Sequence, residues 1–311
     1  MASHLVDARY STTNNVGRDQ IVHNYALPPI ESRLSNWPPS SLSFNDAPID
    51  LLSSHFTGRE EELNHIAEVL CAGQGNVPAR YVVHGMQGLG KTQLALKYAE
   101  LSFRRQQYSA IFWISGASVE KLHQGFTKVL YLVGHPDRDT PEQGIKLTLA
   151  RRWLEEHITD SSFKWLLVVD NVAQEAVGFL REHFPRKNAS GNILLTTRTR
   201  DVAQAVTTVA GQRHQIVELR APDLQCAALL LLREAGINTN DTDPTTIDRA
   251  ETLVKCVGCL PLAISHAASF AQQSNKNLED VLLLYQSKHK YEVCFCRHPS
   301  FFLMLNFCGL Q

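Results

Sequence analysis

The segment Gly85-Met86-Gln87-Gly88-Leu89-Gly90-Lys91-Thr92 constrains this chain more than any other stretch of it. It has the spacing G-x-x-x-x-G-K-[ST]. Its glycines adopt torsions that side chains forbid, so the backbone can curl with its N–H groups facing inwards. Such a curl cradles an anion, and a helix starting near Lys91 adds the positive end of its dipole. Tyr81-Val82-Val83 reads as a strand ending at His84. Strand, glycine loop and helix in that order make a phosphate-binding loop for a nucleoside phosphate. Lys91 then reaches the terminal phosphates and the Thr92 hydroxyl ligates magnesium. His84, at the strand end, is read as structural.

Four more apolar runs follow: Ile111 to Ile114, Trp165 to Val169, Ile193 to Leu195, and Ile216-Val217. Runs of this kind, separated by helical stretches, are buried parallel strands joined by crossover helices. The fold class is therefore α/β, a parallel five-stranded sheet covered on both faces. A helix is predicted from a capping box at Thr57-Gly58-Arg59-Glu60, with Thr57 as N-cap and Leu63, Ile66, Ala67 and Leu70 on one face. Thr140-Pro141-Glu142-Gln143 predicts another start. From about Pro222 only helical spacing remains. It is carried by Leu224 to Leu231, Ala250 to Val257, Ala263 to Ala271 and Leu278 to Tyr285. These boundaries predict a P-loop domain over 46–220 and a helical subdomain over 221–290. Residues 1–45, with Pro28-Pro29 and Pro38-Pro39 and little apolar periodicity, are expected to form a flexible leader. Residues 291–311 form an atypical tail.

Composition excludes several functions. Lys plus Arg total 30 against 31 Asp plus Glu, a net charge of −1, which gives no bulk attraction to nucleic acid or to a membrane. No stretch approaches the ~20 apolar residues that span a bilayer. The start lacks a basic stretch followed by an apolar run, so a cytoplasmic location is expected. The seven cysteines are scattered and odd in number, which argues against a disulfide framework. Cys256 and Cys259 have CxxC spacing without a second ligand pair, so they are read as plain thiols.

Three further features carry chemistry. Asp170 ends the strand from Trp165, where P-loop proteins place the carboxylate that holds magnesium. Asn171 follows it, and an amide orients water but is a very poor base. Arg198 ends the strand in Leu194-Leu195-Thr196-Thr197-Arg198, beside the phosphate site, where it is suited to sense a γ-phosphate. From that segment alone a plain surface arginine is the stronger reading. Asn275-Lys276-Asn277-Leu278 lacks the aspartate of a guanine-reading motif.

Taken together, these residues resemble the NB-ARC domain of the STAND P-loop NTPases, the nucleotide switch of apoptotic scaffolds and of plant and fungal immune receptors. The resemblance covers about 55–290. Phe56-Thr57-Gly58-Arg59-Glu60 is similar to the motif that lies against adenine, and Gly85 to Thr92 to the P-loop. Ile111 to Ser115, Leu166 to Asp170 and Leu194 to Arg198 are similar to the second-strand, magnesium and sensor strands. Gly258-Cys259-Leu260-Pro261-Leu262-Ala263 is similar to the G-x-L-P-L-A motif, which ordinary P-loop ATPases lack. The resemblance implies strand order 5-1-4-3-2 and ADP or ATP with Mg2+ as cofactors. It implies nucleotide contacts from Phe56, Arg59, Gly85, Gln87, Gly88, Leu89, Gly90, Lys91, Thr92, Gln93 and Pro261. Thr92 and Asp170 would hold the metal, and Asp170 and Arg198 would act on the phosphates. It further implies a signalling switch in innate immunity that rests with ADP, exchanges it for ATP and self-associates in the ATP state.

Asn171 departs from the common second aspartate, so at most slow ATP hydrolysis is expected. The family's usual winged helix and sensor repeats do not follow residue 290, which suggests a truncated product. Asn14-Asn15-Val16-Gly17 loosely resembles the N-terminal signalling segments of some fungal receptors. An active ATPase and a passive module merely stabilised by nucleotide remain as alternatives. A P-loop kinase would need a lid and an acceptor site that the sequence does not offer.

Overall fold

The computed structural model describes residues 42–72, 77–156, 163–187, 190–207, 214–238 and 243–286. Residues 1–41 and 291–311, and with them the Asn14 to Gly17 stretch and most of the expected leader, lie outside the described residues.

The sheet has six strands: β1 (Phe44–Asn45), β2 (Ala79–His84), β3 (Ala110–Ser115), β4 (Trp165–Val172), β5 (Gly191–Thr197) and β6 (His214–Glu218). Their order is β1-β3-β4-β5-β2-β6, and every pairing is parallel. The five predicted strands therefore stand in the expected order. The sixth strand corrects the count and takes in the last two residues of the expected leader. Phe44 N–H donates to the Ser109 carbonyl at 3.0 Å, and Asp46 N–H to the Ile111 carbonyl at 2.9 Å. The Phe44 ring meets Phe112 edge-on at 5.2 Å. Asp46 then accepts from Trp113 N–H at 3.2 Å and pairs with Lys128.

Helices α1 (Glu60–Cys71) and α2 (Lys91–Arg104) cover one face of the sheet. Ile66, Leu70, Leu94 and Tyr98 pack there against Tyr81, Val83, Leu166, Val168 and Leu194. The other face carries α3 (Val119–Leu132), α4 (Gln143–Glu156), α5 (Ala176–His183) and α6 (Arg200–Thr207). Gly125 lets α3 lie directly on β3, since a Cβ there would stand 2.3 Å from Ile114. Buried Arg80 donates to the Val206 carbonyl of α6 at 2.9 Å and lies 4.8 Å from the Phe184 ring centroid. Runs buried on both faces are thus accounted for.

Two helix starts differ from expectation. α1 begins at Glu60 behind Arg59, whose φ is +71° and whose side chain makes no cap. The Thr57 hydroxyl instead accepts from Arg233 at 3.0 Å. α4 begins at Gln143, because Thr140 N–H closes a turn onto the Asp137 carbonyl at 3.2 Å.

Helices α7 (Leu224–Glu234), α8 (Pro244–Cys256), α9 (Pro261–Gln273) and α10 (Leu278–Gln286) form a second apolar cluster around Leu231, Leu253, Ile264, Ala267 and Val281. Asp223 and Asp243 cap α7 and α8, accepting from Cys226 N–H and Thr246 N–H at 2.8 Å each. This is the helical region that the spacing predicts. It packs in the same compact unit as the sheet.

Candidate functional site

The glycine loop joins β2 to α2 at the carboxyl end of the sheet. Gly85, Gly88 and Gly90 have φ of +149°, +86° and +88°. A Cβ on Gly85 would stand 2.7 Å from the Leu219 carbonyl oxygen, so this glycine is the floor of the loop. Gly90 precedes the first residue of α2 directly, which aims the helix start at the loop.

Lys91 curls back over this loop. Its Nζ donates to the Gly85 carbonyl at 2.6 Å and the Met86 carbonyl at 2.7 Å. Burial first, and then the Arg198 charge, lower its pKa to about 8 against the opposing pull of Asp170. Thr92 Oγ1 donates to the Asp170 carboxylate, 2.9 and 3.1 Å from its two oxygens. Thr196 Oγ1 donates to the same carboxylate at 2.6 Å and accepts from Asn171 N–H at 2.8 Å. Asn171 has φ +58° and sits where the β4–β5 register shifts between Val169 and Val172. That bulge turns the strand end and helps aim Asp170 at α2. His84 is buried, and burial holds its imidazole below the usual pKa.

A cavity of about 510 Å³ opens over this loop and runs to α7 and α9. Every residue predicted for the site lines it except Gly85, which lies beneath. The structure separates their tasks, however. The Arg59 guanidinium donates to the Arg220 carbonyl at 2.8 Å and to the Leu89 carbonyl at 3.5 Å, and pairs with Glu62 at 2.6 Å. It braces the loop from outside. The Gln93 side chain is held by the backbone at residues 51 and 53. Arg198 is exposed at the end of β5.

The wall opposite the sheet comes from the helical region. Pro261 is the first residue of α9, and Leu262 N–H donates to the Gly88 carbonyl at 3.2 Å. Leu262 Cβ lies 3.3 Å from where a Cβ on Gly88 would be. Helix α7 contributes Cys226, Leu230 and Glu234, and α9 adds Ser265. These four and Thr196 were missed from the sequence. Cys226, Leu230 and Glu234 recur at i, i+4 and i+8, roughly 100° round the helix from the buried Ala227 and Leu231. That second stripe was the available signal.

The donor set suits an anion with a cation. Lys91 and Arg198 bring positive charge to the loop, and Thr92 with Asp170 offers hard oxygens of the kind magnesium takes. Among the described residues no three His, Cys, Asp or Glu side chains gather in one metal cluster. No carboxylate follows Asp170 in sequence, since Asn171 stands there, and an amide orients water but is a very poor base.

A family model described as the NB-ARC domain matches residues 59–236, more than half of the 311 residues. The match ends before Gly258. A nucleotide-binding leucine-rich repeat (NLR)-like protein of Hyaloscypha variabilis is 28% identical over 252 residues, covering 76% of this chain and 24% of that protein. Late blight resistance protein R1-A of Solanum demissum is 27% identical over 201 residues, covering 63% of this chain and 15% of that protein. The chain thus spans a quarter or less of either relative. Among solved structures, the ADP form of the Aeropyrum pernix ORC2 protein is similar with a TM-score of 0.47 at 13% identity, over 78% of this chain and 72% of that one. C. elegans PCH-2 gives 0.48 at 15% identity, over 76% and 70%. No helix among the described residues is long and apolar enough to cross a membrane.

Proposed function

The chain belongs to the NB-ARC family, and on that premise we propose that its cavity holds ADP or ATP with Mg2+ and serves as a signalling switch. The observation that carries this reading is the hydrogen bond from Leu262 N–H to the Gly88 carbonyl. It joins the phosphate loop to the helical wall, so a ligand on the loop is felt by α9. A volume of about 510 Å³ is ample for a nucleotide and falls within the ~300–1,000 Å³ usual for small-molecule sites.

In this reading the loop amides and Lys91 take the phosphates. Phe56 and Pro261 border the adenine. Thr92 and Asp170 would hold Mg2+, which when bound neutralises phosphate oxygens. Arg198 takes the γ-phosphate and so gives ATP and ADP different contacts, without which no ligand shifts an equilibrium. The resting ligand is ADP, exchange for ATP releases the helical wall, and self-association in an innate immune response is the output. Asn171 makes hydrolysis slow, so multiple-turnover phosphate release should stay near background.

Denaturing the purified chain and identifying what it releases tests this reading. Wild type is expected to release ADP or ATP, and Lys91→Ala none. Nucleotide-free wild type that also fails to bind added ADP would contradict the proposal.

A further inference from the structure

Gln93 follows Thr92 directly, in the first turn of α2, and half-buried it lines the cavity. Its side chain is committed elsewhere. Oε1 accepts from Ser53 N–H at 2.8 Å, and Nε2 donates to the Leu51 carbonyl at 2.9 Å. One amide therefore grips two backbone groups of an irregular segment, with both ends of its dipole satisfied.

That segment is a strap. It leaves the sheet edge at β1, where Asp46 is pinned by Trp113 N–H and Lys128. It crosses α2 through a 3₁₀ turn, Ile49–Leu51, with Ile49, Leu52 and Phe56 packed on the core beneath α1 and α2. Ser53 then fixes the next turn of the strap: its Oγ accepts from His55 N–H at 3.2 Å and its carbonyl from Phe56 N–H at 3.2 Å. Phe56 and Arg59 come next, and both line the cavity. The far end is tied at Arg59 to the Arg220 carbonyl. Between Asp46 and Arg59 the side-chain grip that α2 has on the strap backbone is Gln93.

We propose that the Gln93 side chain is a positioning residue: it holds the strap 51–56 so that Phe56 borders the nucleoside end of the cavity, and it does not itself take phosphate. This rests on the nucleotide reading above and refines it. It divides α2 between two tasks in adjacent residues. Lys91 and Thr92 face the phosphate end, while Gln93 sets the wall at the other end. A further consequence is that the backbone at Leu51 and Ser53 is tied to the helix that begins at the phosphate loop.

The test is a split in affinity, measured by calorimetry on the full chain with magnesium and either ADP or inorganic pyrophosphate. Two neutral hydrogen bonds are removed in Gln93→Ala, so ADP should bind about tenfold more weakly. Pyrophosphate, which never reaches the strap, should change by no more than about twofold, and its retention also shows that the variant folds. Gln93→Glu keeps the acceptor for Ser53 N–H but sets a carboxylate oxygen against the Leu51 carbonyl, so it should not restore wild-type ADP affinity. In the ligand-free chain, hydrogen exchange at Ser53 to Phe56 should quicken in Gln93→Ala, with α2 unchanged. Pyrophosphate weakened as much as ADP would overturn the inference, because the side chain would then serve the phosphate end. Unchanged ADP affinity or unchanged exchange at Ser53 would overturn it too. Wild type that binds neither ligand contradicts the nucleotide reading itself, and the inference falls with it.

Discussion

The two walls of the cavity are built differently. The sheet side is local and dense. Within one loop and two strand ends, Lys91 satisfies two carbonyls while Thr92 and Thr196 converge on one carboxylate. The helical side rests on a side-chain stripe from α7, one backbone hydrogen bond from Leu262 and one side-chain hydrogen bond from Arg233 to Thr57. A wall held by many short bonds is rigid. A wall that meets the sheet side through few hydrogen bonds can be displaced without unfolding either part. The asymmetry suits a device in which one wall anchors a ligand and the other responds to it.

The largest expected effect falls on the rigid wall. Lys91→Ala should weaken ADP and pyrophosphate alike by about 100-fold or more, as the loss of a charge-assisted contact requires. Calorimetry with both ligands checks it, and a loss confined to ADP would misplace the phosphate end.

Next come two glycines that share a torsion but not a neighbour. Gly88→Ala and Gly90→Ala both strain the backbone, at φ +86° and +88°. The added methyl at Gly88 meets Leu262 at 3.3 Å, whereas at Gly90 nothing lies within 4 Å. Each should cost about 1–2 kcal/mol in torsion. Gly88→Ala alone should also loosen the helical wall, read as faster hydrogen exchange in the first turn of α9. Equal exchange in the two variants would mean that Leu262 does not couple the walls.

The third effect depends on pH. With its pKa at about 8, Lys91 loses its charge as pH rises through that value, so pyrophosphate affinity should fall there. In Lys91→Arg the affinity, whatever its level, should stay flat from pH 7 to 9, because arginine keeps its proton. Stability of the ligand-free chain runs the other way. The unfolded lysine keeps its proton up to 10.5, so the unfolded state binds more protons between about 8 and 10.5 and stability rises with pH in that window.

The smallest effect belongs to Arg233→Ala. It removes a hydrogen bond to Thr57 at 3.0 Å between exposed groups and should cost no more than about 1 kcal/mol in thermal denaturation.

The rigid wall is also the legible one. The glycine loop, Asp170 at its strand end and the five apolar strands follow from short-range rules about torsion, charge and burial, and the strand order comes with the family resemblance. β1 escapes because two residues, Phe44 and Asn45, cannot show a period. Their partners are Ala110 and Ile111, far away in sequence on β3. Thr57 reads as a cap because the spacing to Glu60 is right, yet its hydroxyl is used by Arg233 of α7. Gln93 reads as a ligand contact through its place after Thr92, and only the fold shows that residues 51 and 53 occupy it. In each case a partner distant in sequence decides the outcome. The helical wall consists largely of such partners, and Leu230 and Glu234 are accordingly missed.

Cys226 offers the most direct test that one ligand spans both walls. It lines the cavity on α7, half-buried, away from the lysine end. The rate at which a small maleimide labels Cys226, followed by peptide mass spectrometry, should fall severalfold with magnesium and ADP and stay unchanged with magnesium and pyrophosphate. Equal protection by both, or by neither while ADP binds, would contradict a nucleotide held between the sheet and the helical wall.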